Sequence, residues 1–548
     1  MATVLGTEGD VMDQWTGLAA DVGICVALMA PVLALCSAAW TRWDQAARAD
    51  QVWRRLQGAL WLGLAASVAA AGLQALSPEP PSWGGMVAIT PLSATLAVLV
   101  QGLAAVIASF SGRYLQGDVQ GLVGQRRYAV ALAGVLASVQ VLLLADHWVM
   151  LIAAWAAVGA CLQRLLCFYG NRPFALLAAH KKRLADRMAD VLLIGAAALA
   201  WHEVGSGSLT QLAQHAAQHV AQATASAALQ ASAVLLVLAV VLRTALLPVH
   251  GWIIQVMEAP TPVSALLHAG VVNLGGWVLI RQSALIEASP IARWLLVGVG
   301  LTTALLAGMV MMTRISIKVR LAWSTVAQMG FMVMECGLGL YTLATLHLIG
   351  HSLYKAHAFL SSSGAVQQTR LQGMRGANLP AAWSVWLAPV LALTLVAGMQ
   401  AAMAAPSWPW WWTAVLASAW APLMWAPEHV RAGRSSALVL GVGACMVAGL
   451  TLLATLAHAL PLGVVDAPHD AAGWLAALAM ALMYVALVVL QRWPRKLVVW
   501  RRWSYAGFYV DEVYTRAALS LWPTRWTPSQ ADQQDEWAPS SPLMTAQD

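Results

Sequence analysis

The sequence predicts an all-α polytopic membrane protein of about fifteen transmembrane helices, on three observations. Of the 548 residues, 60% are hydrophobic and only 10% charged, against roughly 25% charged in a soluble domain. The apolar residues form continuous Ala/Leu-rich runs, whereas the strands of a membrane barrel alternate apolar and polar positions. Lys and Arg fall in alternate loops between those runs, as the positive-inside rule requires of a true helical topology.

Stretches with about 20 apolar residues fall near 17–40, 58–77, 90–112, 128–145, 148–169, 188–203, 230–247 and 263–283. They continue at 290–312, 319–338, 341–362, 381–404, 411–427, 436–460 and 471–491. The run at 188–203 is short and needs help from its flanks. Twenty-four of the 31 basic residues follow odd-numbered runs: Arg42 to Arg55, Arg113 to Arg127, Arg172 to Arg187, Arg314 to Arg320, Arg370 and Arg375, Arg431 and Arg434, and Arg492 to Arg502. This places the N-terminus outside and the C-terminus in the cytoplasm.

The remaining features narrow the class. A net charge of +7 forms no single basic patch, which removes the case for nucleic acid. The six cysteines contain no C-x-x-C pair, so neither a disulfide framework nor a zinc ribbon is indicated. Glu8, Asp10 and Asp13 precede the first run, unlike the basic n-region of a signal peptide. Trp408 and Trp410 to Trp412 suit an interfacial aromatic belt. The polar segment 204–229 reads as an extramembrane connector. Residues 492–548 read as a cytoplasmic interfacial helix followed by a disordered tail.

Ionisable residues inside spans are costly and therefore functional candidates. They are Asp21, Arg164, Asp190, Arg243, His268, Glu335, His347, His351 and Lys355. Asp21 lies near a span end and Arg164 can snorkel toward a basic loop, so both have ordinary explanations. His347, His351 and Lys355 recur every four residues and share one face of one helix. Such groups, about 6 Å apart, suit a proton wire; alternatively the histidines bond neighbouring carbonyls. A metal is disfavoured there, because no H-E-x-x-H or Cys-rich partner accompanies them. Asp190, Arg243 and His268 sit on three successive spans. Arginine stays protonated and can act only as a counter-charge, which assigns proton carriage to the histidines and Lys355; a static helix-joining pair is the other reading. Pro248, Pro260 and Pro262 predict a broken helix, and Pro389 a second break, of the kind that marks transport sites.

Three segments carry a resemblance: PVHGWIIQVMEAPTPVSALLHAGVV, IKVRLAWSTVAQMGFMVM and HLIGHSLYKAHAFLSSSGAV. They resemble the proton-conducting membrane subunits of respiratory complex I and Mrp-type antiporters, over roughly residues 85–375. The resemblance implies an antiporter-like fold in 1–491. It places Asp190 near the family's acid/base pair and Arg243 at its helix-seven lysine, and makes His268, His347, His351 and Lys355 central water-wire residues. Two positions depart: the glutamate after Trp155 is Ala156, and the twelfth span lacks a Lys or Glu. With about 57 residues after the last span, the long lateral helix of complex I's largest antiporter-like subunit is hard to accommodate.

These departures suit a divergent branch, the DabB-type membrane subunit of the DAB inorganic-carbon transporter. The resemblance then implies a multi-pass subunit of the cell inner membrane that conducts H⁺ or Na⁺. Its partner would be a large peripheral zinc protein similar to β-carbonic anhydrase, docked near Tyr509, Asp511, Glu512 and Tyr514. No cofactor is expected in this chain; the zinc, and any CO2 hydration, belong to the partner. A respiratory redox subunit, an independent cation/proton antiporter, and a membrane anchor with a decayed channel are the competing readings.

Overall fold

The computed structural model describes residues 2–77, 80–362, 379–403, 408–428 and 434–524. Arg370, Arg375 and Arg431 of the orientation pattern, and the tail from residue 525, lie outside the described residues. The chain opens with α1 (Ala2–Trp43), α2 (Ala49–Leu76), α3 (Pro91–Tyr114), α4 (Gly121–Leu144) and α5 (Trp148–Leu166). Among the described residues, the departures from an all-α reading are three isolated bridges and a short hairpin, β1 (Ser82–Trp83) against β2 (Val87–Ala88). Gly84 and Gly85 turn it at φ +58° and +64°, a region that favours glycine.

The middle of the chain comprises α6 (Pro173–Val204), α7 (Leu209–Gln222), α8 (Ala227–Arg243), α9 (Gly251–Gln255), α10 (Thr261–Ala269), α11 (Leu274–Arg281) and α12 (Ser283–Glu287). It continues with α13 (Pro290–Met312), α14 (Ile317–Gly337) and α15 (Tyr341–Leu360). The C-terminal part holds α16 (Ala382–Ala401), α17 (Trp410–Trp420), α18 (Arg434–His458), α19 (Asp470–Arg492), α20 (Val498–Tyr505) and α21 (Val510–Leu521).

Among the described residues, ten helices are long and apolar enough to cross a membrane, counting α10 and α11 as one segment. The other five expected spans have identifiable reasons for falling outside that set. α6, α14 and α15 carry the polar and ionisable residues, while α8 has 17 residues and α17 has 11. The short run at 188–203 gains its flank as expected: α6 starts at Pro173 and spans 32 residues, about 48 Å at 1.5 Å per residue. The basic stretch Lys181 to Arg187 is therefore helix, not loop. The connector segment holds the amphipathic α7, N-capped by Ser208, whose Oγ accepts from the Gln211 amide.

α13 and α14 pack backbone to backbone. A Cβ on Gly300 would lie 2.6 Å from the Gly330 carbonyl oxygen, and one on Gly330 2.7 Å from the Gly300 oxygen. Close approach at small residues is the usual way helices associate in lipid, where no hydrophobic drive separates protein from tails. The Trp cluster differs from the belt the sequence suggests. Trp408, Trp411 and Trp412 are buried among α16, α17 and α19, and only Trp410 is exposed. Trp411 donates to Asp470 at 2.9 Å and packs over Gly473, which explains the inward turn.

The prolines also act differently from expectation. Pro260 and Pro262 start α10, where a missing N–H costs nothing; the break within that span is at Gly270, between α10 and α11. Asn273 donates to the Ala269 carbonyl at the break, 3.1 Å away. Pro248 lies in the turn between α8 and α9. Pro389 makes no second break: α16 runs through it. A proline there leaves the carbonyl four residues earlier without its helical donor, and that carbonyl, on Val385, accepts from the Tyr484 hydroxyl at 2.6 Å. Tyr484→Phe should destabilise the detergent-solubilised protein by about 1–3 kcal/mol, the cost of an unsatisfied buried acceptor. Adding Pro389→Ala should restore part of that loss by returning an N–H to Val385; a thermal-unfolding double-mutant cycle measures it.

Candidate functional site

α15 is anchored at its start by the loop before α19, where Asp466 accepts from the Thr342 amide at 2.7 Å. A carboxylate at a helix N-terminus satisfies an orphan donor and complements the helix dipole. Along α15, His347 bonds Glu335 of α14 at 2.8 Å, and the His347 and His351 rings lie 6.2 Å apart. Four residues on, buried Lys355 donates to the Leu321 carbonyl at 2.9 Å and to Ser324 Oγ. His268, fully buried on α10, bonds Thr325 at 2.9 Å and stacks on Phe359. Consecutive hydroxyl residues of α14 thus hold Lys355 and His268, and Ser352 of α15 accepts from Asn273 at 2.7 Å.

Glu335, His347, His351, Lys355 and His268 are therefore gathered where α10, α14 and α15 meet; His268, which the order of spans groups with Asp190 and Arg243, sits instead with the α15 residues. Several of their polar atoms face the interior without a protein partner. These are Nε2 of His268 and His347, both ring nitrogens of His351, and Oδ1 of Asn273.

The second cluster lies on α6 and α8. Arg243 pairs with Asp190 and covers the Trp155 ring at 4.6 Å. Arg187 lies 3.4 Å from the other oxygen of Asp190. One turn earlier, Lys182 pairs with Asp186 at 2.5 Å. Residues 182, 186 and 190 share a helix face by their four-residue spacing, so a cation, two carboxylates and a second cation run in sequence. Lys182 and Asp186 are site members beyond those the sequence singles out, because the basic stretch that contains them reads as an orientation signal. The same spacing that exposed the α15 stripe would have found them.

The position of Ala156 gains meaning here. It lines a cavity of about 230 Å³ together with Gly159, Gln163, Arg183, Asp186 and Asp190. A Cβ on Gly159 would lie 2.8 Å from Asp186, so that carboxylate fills space the fifth helix leaves open. α6 carries the carboxylates on the face that α5 turns toward it. On the twelfth span the buried polar side chains are Ser384 and Gln400, the latter bonded to Trp408 and Thr413. Among the described residues no hydrogen bond or ion pair joins the α6/α8 cluster to the α15 cluster. His250 and Trp252 lie between them in sequence, and the Lys182 ammonium sits over Trp252 at 5.2 Å.

α21 docks onto this assembly. Asp511 pairs with buried Lys181 at 2.6 Å and accepts from Gln255 of α9 at 3.0 Å. Thr515 takes a second Lys181 bond at 2.9 Å, and the Tyr514 hydroxyl donates to the Lys181 carbonyl at 3.1 Å. Burial, with Asp511 nearby, pushes the Tyr514 hydroxyl up to about 12, so it remains a donor at any ordinary pH. Asp511 and Tyr514 thus face inward, whereas Tyr509 and Glu512 are exposed.

Residues 145–447 match the family model described as NADH:quinone oxidoreductase/Mrp antiporter, TM. Among curated proteins, the chain is 38% identical over 454 residues to "Probable inorganic carbon transporter subunit DabB" of Hydrogenovibrio crunogenus, covering 81% of this chain and 84% of that one. It is 42% identical over 345 residues to "Probable inorganic carbon transporter subunit DabB2" of Halothiobacillus neapolitanus, covering 63% and 60%. A solved structure of the Mrp complex from Dietzia sp. DQ12-45-1b shares the fold with a TM-score of 0.51 at 24% identity, over 96% of this chain and 57% of that one. The chain belongs to the NADH:quinone oxidoreductase/Mrp antiporter transmembrane family, and its curated relatives include probable inorganic carbon transporter subunits.

Proposed function

We propose that this chain is the cation-conducting membrane subunit of an inorganic-carbon transporter. In this reading it lets H⁺ or Na⁺ fall through its gradient and couples that flow to a peripheral zinc partner of carbonic-anhydrase type. The observation that carries it is the gathering of Glu335, His347, His351, Lys355 and His268 in the protein interior, where Nε2 of His268 and His347 and both ring nitrogens of His351 are buried without a protein hydrogen-bond partner. A buried polar group without a hydrogen bond costs about 1–3 kcal/mol, and a bridging water removes that cost. Water between rings 6.2 Å apart completes a relay from Glu335 through His347 and His351 toward Lys355. Histidine suits this because it accepts a proton on one nitrogen while releasing one from the other.

The α6/α8 charges supply the coupling. Each member of the Asp190–Arg243 pair lowers the cost of burying the other, so a proton arriving on Asp190 neutralises it and leaves Arg243 without that counter-charge, free to act on its surroundings. Each charge crossing 100 mV releases about 2.3 kcal/mol, enough to bias a partner's conformational equilibrium roughly fiftyfold. The N-terminus lies outside and the C-terminus in the cytoplasm by the distribution of basic residues. That puts the exposed Tyr509 and Glu512 on the side where the partner docks. α21 touches α6 through Lys181, one residue from the Lys182/Asp186 pair, which gives the partner a short mechanical route to the charges.

Lys355→Ala and Asp190→Asn should each abolish energy-dependent inorganic-carbon uptake while the complex still assembles; wild-type uptake in both defeats the coupling proposal. Because Ala156 and Asp190 line one cavity, Ala156→Glu in the Asp190→Asn background should restore a measurable fraction of uptake, about a tenth or more. No recovery with an assembled complex would show that α5 and α6 carboxylates are not interchangeable.

A further inference from the structure

Away from these clusters, α6 ends at Val204, and Gly205 at φ +74° turns the chain into α7. The turn brings Glu203 of α6 beside His215 and His219 of α7, with one ligand atom from each residue within 4.8 Å of the others. The histidines are four residues apart and share a face, their rings 4.4 Å apart. His219 Nδ1 is engaged by Thr224 at 2.9 Å, which leaves Nε2 for a ligand. His215 Nε2 is buried, 4.0 Å from Glu203, and has no hydrogen-bond partner. None of these residues belongs to the ion pathway.

We propose that Glu203, His215 and His219 form a binding site for one divalent transition-metal ion of the Zn²⁺ class. Two imidazoles and a carboxylate are a borderline donor set suited to zinc. At ligand distances of about 2.0–2.2 Å, tetrahedral donors lie about 3.4 Å apart, so the three atoms must close by roughly 1 Å. Rotation of half-exposed side chains supplies that movement without disturbing either helix. α7 is held independently: Asp146 accepts from Ser208 at 3.2 Å and Thr210 at 2.7 Å, and Arg281 pairs with it at 2.6 Å. The scaffold is thus in place before metal binds, and the fourth position is left to water. The bound ion joins the end of α6, whose other half carries Lys182, Asp186 and Asp190, to the connector helix.

The test uses the full-length chain purified in detergent through a histidine-free tag, stripped with chelator and titrated with Zn²⁺ alone. Elemental analysis and the thermal midpoint are read for wild type, His219→Ala, His215→Ala and the shape-conserving Glu203→Gln. The wild type should retain one zinc per chain more than the histidine variants, bind it at least tenfold more tightly than any variant, and melt higher when loaded. Without added metal, all four should melt alike. Equal zinc uptake, or an equal zinc-induced shift, in wild type and the histidine variants would overturn the site.

Discussion

The structure depends on one constraint: an ionisable group taken out of water must find its partner inside the protein. Asp190 and Arg243 meet that constraint across two helices, and Lys182 and Asp186 meet it along one. Lys355 meets it with a carbonyl and a hydroxyl of α14. These solutions differ in what they permit. A carboxylate–guanidinium pair is held until a proton arrives, whereas an ammonium bonded only to neutral oxygens has no fixed counter-charge to leave. In the proposed reading the two clusters take different tasks, field switching on α6 and α8 and proton carriage on α15.

The breaks in the helices serve the same end. Gly270 interrupts the α10–α11 segment two residues after His268, and Asn273 secures the carbonyl there while reaching Ser352 on α15. Irregular backbone in a membrane is tolerated where it is buried in protein or lines a cavity, and here it lies beside the titratable residues. At Pro389 the freed carbonyl is taken by Tyr484, and the helix stays whole. A side chain satisfies the freed carbonyl in both places; the difference is that the backbone leaves helical geometry at Gly270, with φ −130° and ψ −69°, and stays helical through Pro389.

What was legible in the sequence is what is local along the chain. The four-residue recurrence of His347, His351 and Lys355 fixes their shared face, because helical periodicity is local. The meeting of Asp190 with Arg243 was readable as a pairing of opposite charges on adjacent spans. The burial of Lys181 and Lys182 was not, since a basic run beside a span looks the same whether it faces water or is covered by a helix more than 300 residues later. Nor was the role of Gly270, overshadowed by nearby prolines that turn out to start a helix. Ala156 looks like a lost acid until α5 and α6 are placed side by side, and Glu203 gains its histidines only through a turn set by Gly205.

The most direct measurement is cation flux through the complex in proteoliposomes under an imposed inside-negative potential, with a pH-sensitive dye inside and sodium-free buffer. His351 sits between His347 and Lys355 and bonds no protein group, so His351→Leu removes a relay member and leaves every ion pair intact. Wild type should acidify under the imposed potential, and the variant should lose at least tenfold of that flux. Equal flux in the two proteins, with complexes of equal yield, would contradict the claim that the α15 histidines carry the ion.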